Sequence, residues 1–573
     1  MKCKSLILSS LLMTVCLTSC RISFVDSKSA SMDVVSIFKG EVDDSRAISY
    51  EYLKDEKLLP YFSIDDYLSL YNPYLKDNYS IDVSESSLDT SVRVTQGEET
   101  IFMMAIEPSY QIVMENGDFS SAFVFDKDYS KSSLFIGNKT EYEIANVPTS
   151  MRTFTYKNMG FYTYRKGGHT YYPLSLLECI FSSYANVYHL FNYNRLIQYS
   201  EYKDLTDTTY KVDGVEFTAY KEMKKYIDEN LSTMPMYLRK DRKASFLFTL
   251  ENQYGLKYTR NIKSMTKYLE EQDFFADFLS EDNLKRNEAY YKTFELLDDG
   301  HTSIRDHADF PYREGEFNQR GTHLTRMLAV RQELSTQRAL APGEVYYSTD
   351  EKLAFFTFDS FSFAEYAYQE DGKTLKDTLS NYHSEDYDAF FYFVKLLNQI
   401  KDKGGVTDVV IDISTNGGGT VGVMTKLLSL LSKRNTSRIY VQLDVTNMVQ
   451  QMTTSVDSNN DGEYDLTDVF GNDFNFHILT SEFSFSCGNA FPFYAKENGI
   501  ADIIGVKSGG GECAVGESYL PSGEHYYHSS NLHIGWLYDD EFVGDEAGVA
   551  VDIPVEYKDF YDLDKLQSLV TAE

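Results

Sequence analysis

Residues 483–491 read FSFSCGNAF, which places two serines, a cysteine and a glycine inside an apolar run. A buried strand has little use for so many small polar groups, whereas a strand-to-helix turn that presents a nucleophile does. A hydroxyl at the start of a helix lies among free backbone N–H groups, and the positive helix end favours a developing oxyanion. Ser484 or Ser486 is then the nucleophile, and small Gly488 lets a substrate backbone approach. A serine at its ordinary pKa needs a base within hydrogen-bond reach. Lys507 in GVKSGGG is one candidate. His301 in DDGHTS is the other, since a neutral imidazole can take the serine proton and return it to a leaving amine.

A second constellation is independent of the first. DSNNDGEYDLTD, residues 457–468, puts Asp457, Asn459 and Asp461 at loop positions 1, 3 and 5, with Gly462 at 6, Glu463 at 7 and Asp468 at 12. This is EF-hand spacing, in which side-chain oxygens and the carbonyl at position 7 surround calcium. Asp468 replaces the usual Glu, whose longer arm binds bidentately, so a weaker structural calcium site is expected, ordering the insertion before the nucleophile segment. No cofactor is expected for catalysis. His525 and His528, in GEHYYHSS, would suit a metal if helical, but their Pro/Ser/Gly-rich surroundings predict a hairpin.

The elements that must position these residues follow from periodicity. VTDVVIDIS is a buried strand running into Asn416-Gly417-Gly418-Gly419 and then the helix TVGVMTKLLSLLSKR. AFFYFVKLLNQIKDK reads as a helix, VYYSTDEKLAFFTFDSF as two strands, and RIYVQLDV, FHILTS and ADIIGVK as further strands. Strands alternating with helices indicate a layered α/β domain over 344–573. Upstream, SMTKYLEEQDFFADFL and KRNEAYYKTFELL carry apolar residues at three- and four-residue spacing, as does KEMKKYIDENL, so 229–343 is a helical segment bearing His301. Residues 48–228 show short Tyr-rich alternating runs such as SVRVTQ, IFMMAI and YQIVME, broken by turns like Asn116-Gly117, and read as a mixed α+β binding or positioning domain. Within it, LPYFSIDDYLSLY and TYYPLSLLECIFS echo one another as strand–helix units.

The first twenty residues, MKCKSLILSSLLMTVCLTSC, combine Lys2 and Lys4 with an apolar stretch too short to span a bilayer. Leu17-Thr18-Ser19-Cys20 resembles the lipobox of bacterial lipoproteins, which implies a signal peptide over 1–19, lipidation of Cys20 and an extracytoplasmic location. Residues 20–47 are polar and read as a tether. Two or more acyl chains give a stable membrane anchor. With Cys20 lipidated, Cys179, Cys487 and Cys513 remain, which is no disulfide framework. At 573 residues the chain exceeds one core, and 42% hydrophobic and 15% aromatic content is globular. A formal charge of −33 excludes nucleic acid as a partner, because phosphate binding needs a basic surface.

Three segments together resemble one family. VVIDISTNGGGTVG, HILTSEFSFSCGNAF and ADIIGVKSGGG, in this order, are similar to the glycine-loop strand, nucleophile segment and following turn of the S41 peptidases, the tail-specific and C-terminal-processing proteases. The resemblance covers about 299–555 and implies a crotonase- and ClpP-like layered α/β core. It selects Ser486 over Ser484, with the Cys487 N–H as one oxyanion donor and Gly417 or Gly418 as the second. Much of the family uses a lysine base, but that position falls on Gly511 here, and Lys507 is four residues too early. The tricorn-like branch instead uses Ser, His and Glu, and Asp299-Gly300-His301-Thr302 resembles its histidine motif. GDEAGV, residues 544–549, with VDIPV, 551–555, resembles its closing motif. Glu546 is then the carboxylate orienting His301, with Asp545 as the alternative. The expectation is a serine endopeptidase acting on extracytoplasmic proteins or peptides, the alternative a non-catalytic peptide-binding lipoprotein.

Overall fold

A computed structural model describes residues 26–38, 41–86, 89–107, 111–115, 122–123, 132–146, 152–156, 158–185, 187–191, 195–200, 208–212, 215–218, 234–306, 318–443, 448–521 and 523–571. The signal peptide, Cys20, the Asn116-Gly117 turn and the KEMKKYIDENL segment lie outside these residues.

The site is built on a six-stranded sheet: β1 (Tyr346–Tyr347), β2 (Leu353–Thr357), β3 (Asp408–Asp412), β4 (Asn475–Thr480), β5 (Ala501–Gly505) and β6 (Ile553–Pro554). The strands lie side by side in sequence order, parallel except for the β1–β2 pair. Three helices connect them: α1 (Ala389–Lys403) before β3, α2 (Val421–Leu431) after it and α3 (Cys487–Glu497) between β4 and β5. Sequential order with right-handed crossovers puts the connecting helices on one face. Accordingly Ala354, Phe356, Val409, Ile411, Ile478 and Ile503 pack with residues of α1, α2 and α3. Their alternate neighbours Leu353, Phe355, Val410, Leu479 and Ile504 pack with Val330 and Leu334 of the Thr322–Gln337 helix and Leu566 and Val570 of Leu563–Val570. Burial on both faces explains why these strands read as unbroken apolar runs. The layered α/β core is as the sequence predicts.

A seven-stranded antiparallel sheet flanks this core. Its order is Ser303–Asp306, His525–Tyr538, Ser437–Leu443, Met448–Val456, Asn138–Asn146, with Cys513–Tyr519 and Glu541–Gly544 also pairing to His525–Tyr538. This sheet delivers the histidine. The helix Asn283–Leu297 ends at Asp298 in the left-handed conformation, with φ +46°, and the chain turns through Gly300 and His301 into Ser303–Asp306. Pairing of Ser303 with Tyr527 and Ile304 with Tyr526 docks that turn on the core.

The region before residue 229 is less separate than its sequence suggests. Its strand Asn138–Asn146 completes the flanking sheet by pairing with Met448–Val456. The buried ammonium of Lys426 donates to the carbonyls of Ser133 and Ile136. The two echoing phrases do form neighbouring strand–helix units: Tyr61–Phe62 with Ile64–Ser69, and His169–Pro173 with Leu174–Ala185, their strands paired antiparallel. The tether expectation is corrected from residue 27 onward. Ser27–Phe38 and Glu41–Leu53 form a hairpin inside a seven-stranded sheet. Their outer halves are polar, but Val34, Val35 and Ile37 are fully buried, a short apolar run that the polar flanks obscured.

Candidate active site

Strand β4 ends at Thr480, and the chain turns through residues 481–485 to enter α3. Ser484 serves this turn: fully buried, its Oγ donates to the Ile413 carbonyl (2.9 Å) and accepts from the Ser481 N–H (3.0 Å). Ser486 is the half-buried N-cap of α3, with φ +57° and ψ −126°, a backbone conformation that is strained for a side-chain-bearing residue. Its N–H donates to the Gly510 carbonyl at 3.0 Å, and its side chain makes no capping bond. Its Oγ therefore stands at the helix entrance with no partner among the described residues. Burial pushes the neighbouring Cys487 thiol up to about 12, and the Sγ donates to the Gly419 carbonyl, so this cysteine is a protonated structural group. Cys487 and Cys513 are not joined in a disulfide.

The glycine loop after β3 closes over the serine. Asn416, fully buried, accepts the Phe485 N–H on its carbonyl and the Gly418 N–H on its Oδ1, at 3.2 and 2.8 Å. Gly418 has φ +112°, and a Cβ there would lie 2.8 Å from the Ser486 Cβ and 3.1 Å from the Cys487 nitrogen. Its N–H is already engaged by Asn416, which leaves Gly417 as the other of the two expected donors. Gly488 packs where a Cβ would meet the Asn416 carbonyl at 2.5 Å.

His301 reaches this turn through Phe485. The two rings lie 4.7 Å apart between centroids, and the imidazole is 7% exposed. Burial holds its pKa below the ordinary value, against the opposing pull of Asp299. Neither ring nitrogen has a hydrogen-bond partner among the described residues. Asp299 fixes the turn by accepting the His301 N–H (3.0 Å) and the Thr302 hydroxyl. Gly300 and Gly511 clamp Phe485, since a Cβ at either would come within 2.7 Å of its ring. Gly511 is the position where a lysine base would fall. A Cβ there would also sit 3.0 Å from the Ser486 nitrogen, at φ +96°, so the space is taken by Phe485. Lys507 is exposed.

Glu546 lies on the far side of Gly511. Its Oε2 accepts the N–H groups of Gly511 and Glu512, both at 3.1 Å. Burial, with Asp299 adding repulsion, raises its pKa to about 7. Asp545 is buried with neither carboxylate oxygen partnered among the described residues, and burial holds its pKa well above the ordinary range. Ser486, His301 and Glu546 thus gather around Phe485 and Gly511, without a hydrogen-bonded relay linking them. Phe485 and Gly511 join these segments; in the sequence Gly511 stands out only as the place where a lysine base is absent, and Phe485 only as part of an aromatic–Ser-Cys run.

The 457–468 loop is ordered by its own acids. Asp457 accepts the N–H groups of Asp461 and Gly462, Asn459 that of Asp461, and Asp461 that of Glu463. Fully buried Asp468 accepts those of Ser458, Asn459 and Asp465. Among the described residues, the groups of three side chains close enough to share one ion do not include the acids of this loop. His525 and His528 lie on the strand His525–Tyr538, as the hairpin reading expects, and a three-residue step on a strand points them to opposite faces.

Residues 378–553 match the model of peptidase family S41. No curated protein matches the chain. Among solved structures, a putative peptidase from Parabacteroides merdae is 14% identical, with a TM-score of 0.36, covering 55% of this chain and 89% of that one. A lipoprotein from Streptococcus agalactiae is 12% identical, with a TM-score of 0.34, covering 57% and 95%. Mature CPAF complexed with lactacystin is 12% identical, with a TM-score of 0.35, covering 58% and 97%. Likenesses this loose carry no argument of their own.

Proposed function

We propose, on the premise that residues 378–553 match the model of peptidase family S41, that the chain is a serine endopeptidase of this family with Ser486 as nucleophile and His301 as general acid and base. The observation that carries this reading is Ser486 itself: a strained N-cap with an unengaged hydroxyl, overhung by Gly418 and followed directly by the N–H of Cys487. In the proposed mechanism, Oγ attacks the scissile carbonyl carbon while its proton passes to a neutral His301 nitrogen. The oxyanion meets the Cys487 and Gly417 N–H groups. His301 then protonates the leaving amine, and water taken through the same base releases the acyl group from Ser486. His301 must turn from its contact with Phe485 to reach Oγ. Glu546, whose Oε2 holds two backbone amides, would accept the imidazole N–H on its other carboxylate oxygen, which orients the ring and stabilises its charged form.

A fluorophosphonate probe tests this directly. Stoichiometric labelling of Ser486, lost in Ser486→Ala together with peptide cleavage, is expected. A folded protein that leaves Ser486 unlabelled would instead be the peptide-binding lipoprotein.

The substrate class is protein or peptide, as the family implies. We also carry two proposals that rest on sequence alone. Lipidation of Cys20 would anchor the protein extracytoplasmically, and is read by acyl labelling that Cys20→Ala removes. No helix of the described residues is long and apolar enough to cross a membrane. Calcium at 457–468 rests on ligand spacing.

A further inference from the structure

Cys513 and His533 are direct partners across the antiparallel strands Cys513–Tyr519 and His525–Tyr538, so their side chains leave the same face of the ladder. Glu512 precedes Cys513 and reaches the same imidazole. The Cys513 Sγ lies 3.7 Å from His533 Nδ1, and the Glu512 Oε1 lies 2.9 Å from that nitrogen. Ligand atoms of all three fall within 4.8 Å of one another, and all three residues are buried. We propose that Glu512, Cys513 and His533 form a zinc site.

The geometry and chemistry agree. Zinc bonded to sulfur at about 2.3 Å and to nitrogen and oxygen at about 2.0–2.2 Å in a tetrahedron gives ligand–ligand edges of roughly 3.3–3.6 Å. The sulfur–nitrogen edge already matches, and the nitrogen–oxygen edge opens by a few tenths of an ångström once the ion replaces the hydrogen bond. A thiolate, an imidazole and a carboxylate form a donor set suited to a borderline-soft divalent ion. Binding sends the Cys513 proton to solvent, after which two anionic ligands balance the 2+ ion in a buried site. Three protein ligands leave a fourth position for water.

The surroundings are shaped for these side chains. A Cβ at Gly544 would fall 1.8 Å from the Glu512 Oε2, and one at Gly255 would fall 2.9 Å from the Cys513 Sγ. Glu512 Oε2 accepts the Glu546 N–H at 3.1 Å, which turns Oε1 toward His533. Outer contacts of this kind orient metal ligands. Because Glu512 also donates its own N–H to Glu546, the ion would brace the segment that carries the proposed triad carboxylate. The site itself does not depend on that catalytic reading.

The test uses the full chain, stripped with chelator and titrated with Zn²⁺ and separately with Co²⁺. One equivalent of zinc, a raised unfolding temperature and a thiolate-to-cobalt charge-transfer band in the near ultraviolet are expected. Cys513→Ser should remove the band, and both Cys513→Ser and His533→Gln should weaken zinc binding at least tenfold. Asp457→Ala should leave it unchanged. Wild-type protein that binds no stoichiometric zinc, or binds cobalt without the sulfur band, overturns the proposal even if the variants fail to fold. So does binding undiminished in both ligand variants.

Discussion

Substituting the two glycines over the nucleophile separates a geometric reading of the site from a compositional one. At Gly418 a methyl group would lie 2.8 Å from the Ser486 Cβ and 3.1 Å from both the Cys487 nitrogen and the Phe485 carbonyl oxygen, at φ +112°. Forcing a side chain into that backbone region costs roughly 1–3 kcal/mol, and overpacking adds about 1–3 kcal/mol. The sum of ~2–6 kcal/mol is relieved most directly by moving the glycine loop away from Ser486. Displacing an oxyanion donor by about an ångström, or losing it, costs roughly 10²–10³ in turnover. Gly417 is the control: it is exposed, lacks a positive φ, and its Cβ would meet only the Phe483 ring at 3.4 Å. Gly417→Ala keeps the N–H and should change stability by no more than ~0.5 kcal/mol, about a factor of two in rate. Steady-state cleavage of an unstructured fluorogenic peptide, with urea unfolding of each variant, reads both quantities. If Gly418→Ala keeps more than about half of wild-type turnover, the assignment of this loop to the oxyanion fails.

The two serines should divide cleanly. Ser484→Ala leaves the Ile413 carbonyl and Ser481 N–H unsatisfied and should cost about 1–3 kcal/mol in unfolding experiments. Ser486→Ala breaks no side-chain bond and should leave stability unchanged while cleavage falls by roughly 10⁴–10⁶. For pH, burial favours the neutral imidazole of His301, and the neutral form is the base. The acid limb of kcat/KM should therefore lie below the ordinary histidine value of 6.5; a limb above it would contradict the desolvated position. Glu546→Gln still accepts the two amides but loses the charge for an imidazolium, so kcat should drop by roughly 10³–10⁴. Asp545→Asn replaces a carboxyl whose protonated form burial favours and should change kcat only about twofold; reversed effects would exchange their roles. Calorimetric titration with Ca²⁺ should show a heat that Asp457→Ala removes, and no heat in wild type would return the 457–468 loop to a self-capped turn.

What the sequence determined by itself was mostly local. VVID, HILT and ADIIG each have an apolar centre because that part of the strand lies between two helical layers, and AFFYFVKLLNQIKDK is the α1 helix end to end. The sequence separated Ser486 from Ser484 only through the resemblance to S41 peptidases; the fold supplies the physical difference, a helix entrance against a buried turn. Long-range pairing was not legible. Nothing in residues 138–146 says that this strand completes a sheet with 448–456, because cross-strand partners are chosen by tertiary packing. Nor does His301 announce its neighbour: one aromatic ring, seated between Gly300 and Gly511, joins the histidine turn to the serine turn. Cys513 and His533 read as two unrelated residues until the ladder set them opposite one another. Sequence periodicity reports which face a residue takes; only the assembled chain decides what lies across from it.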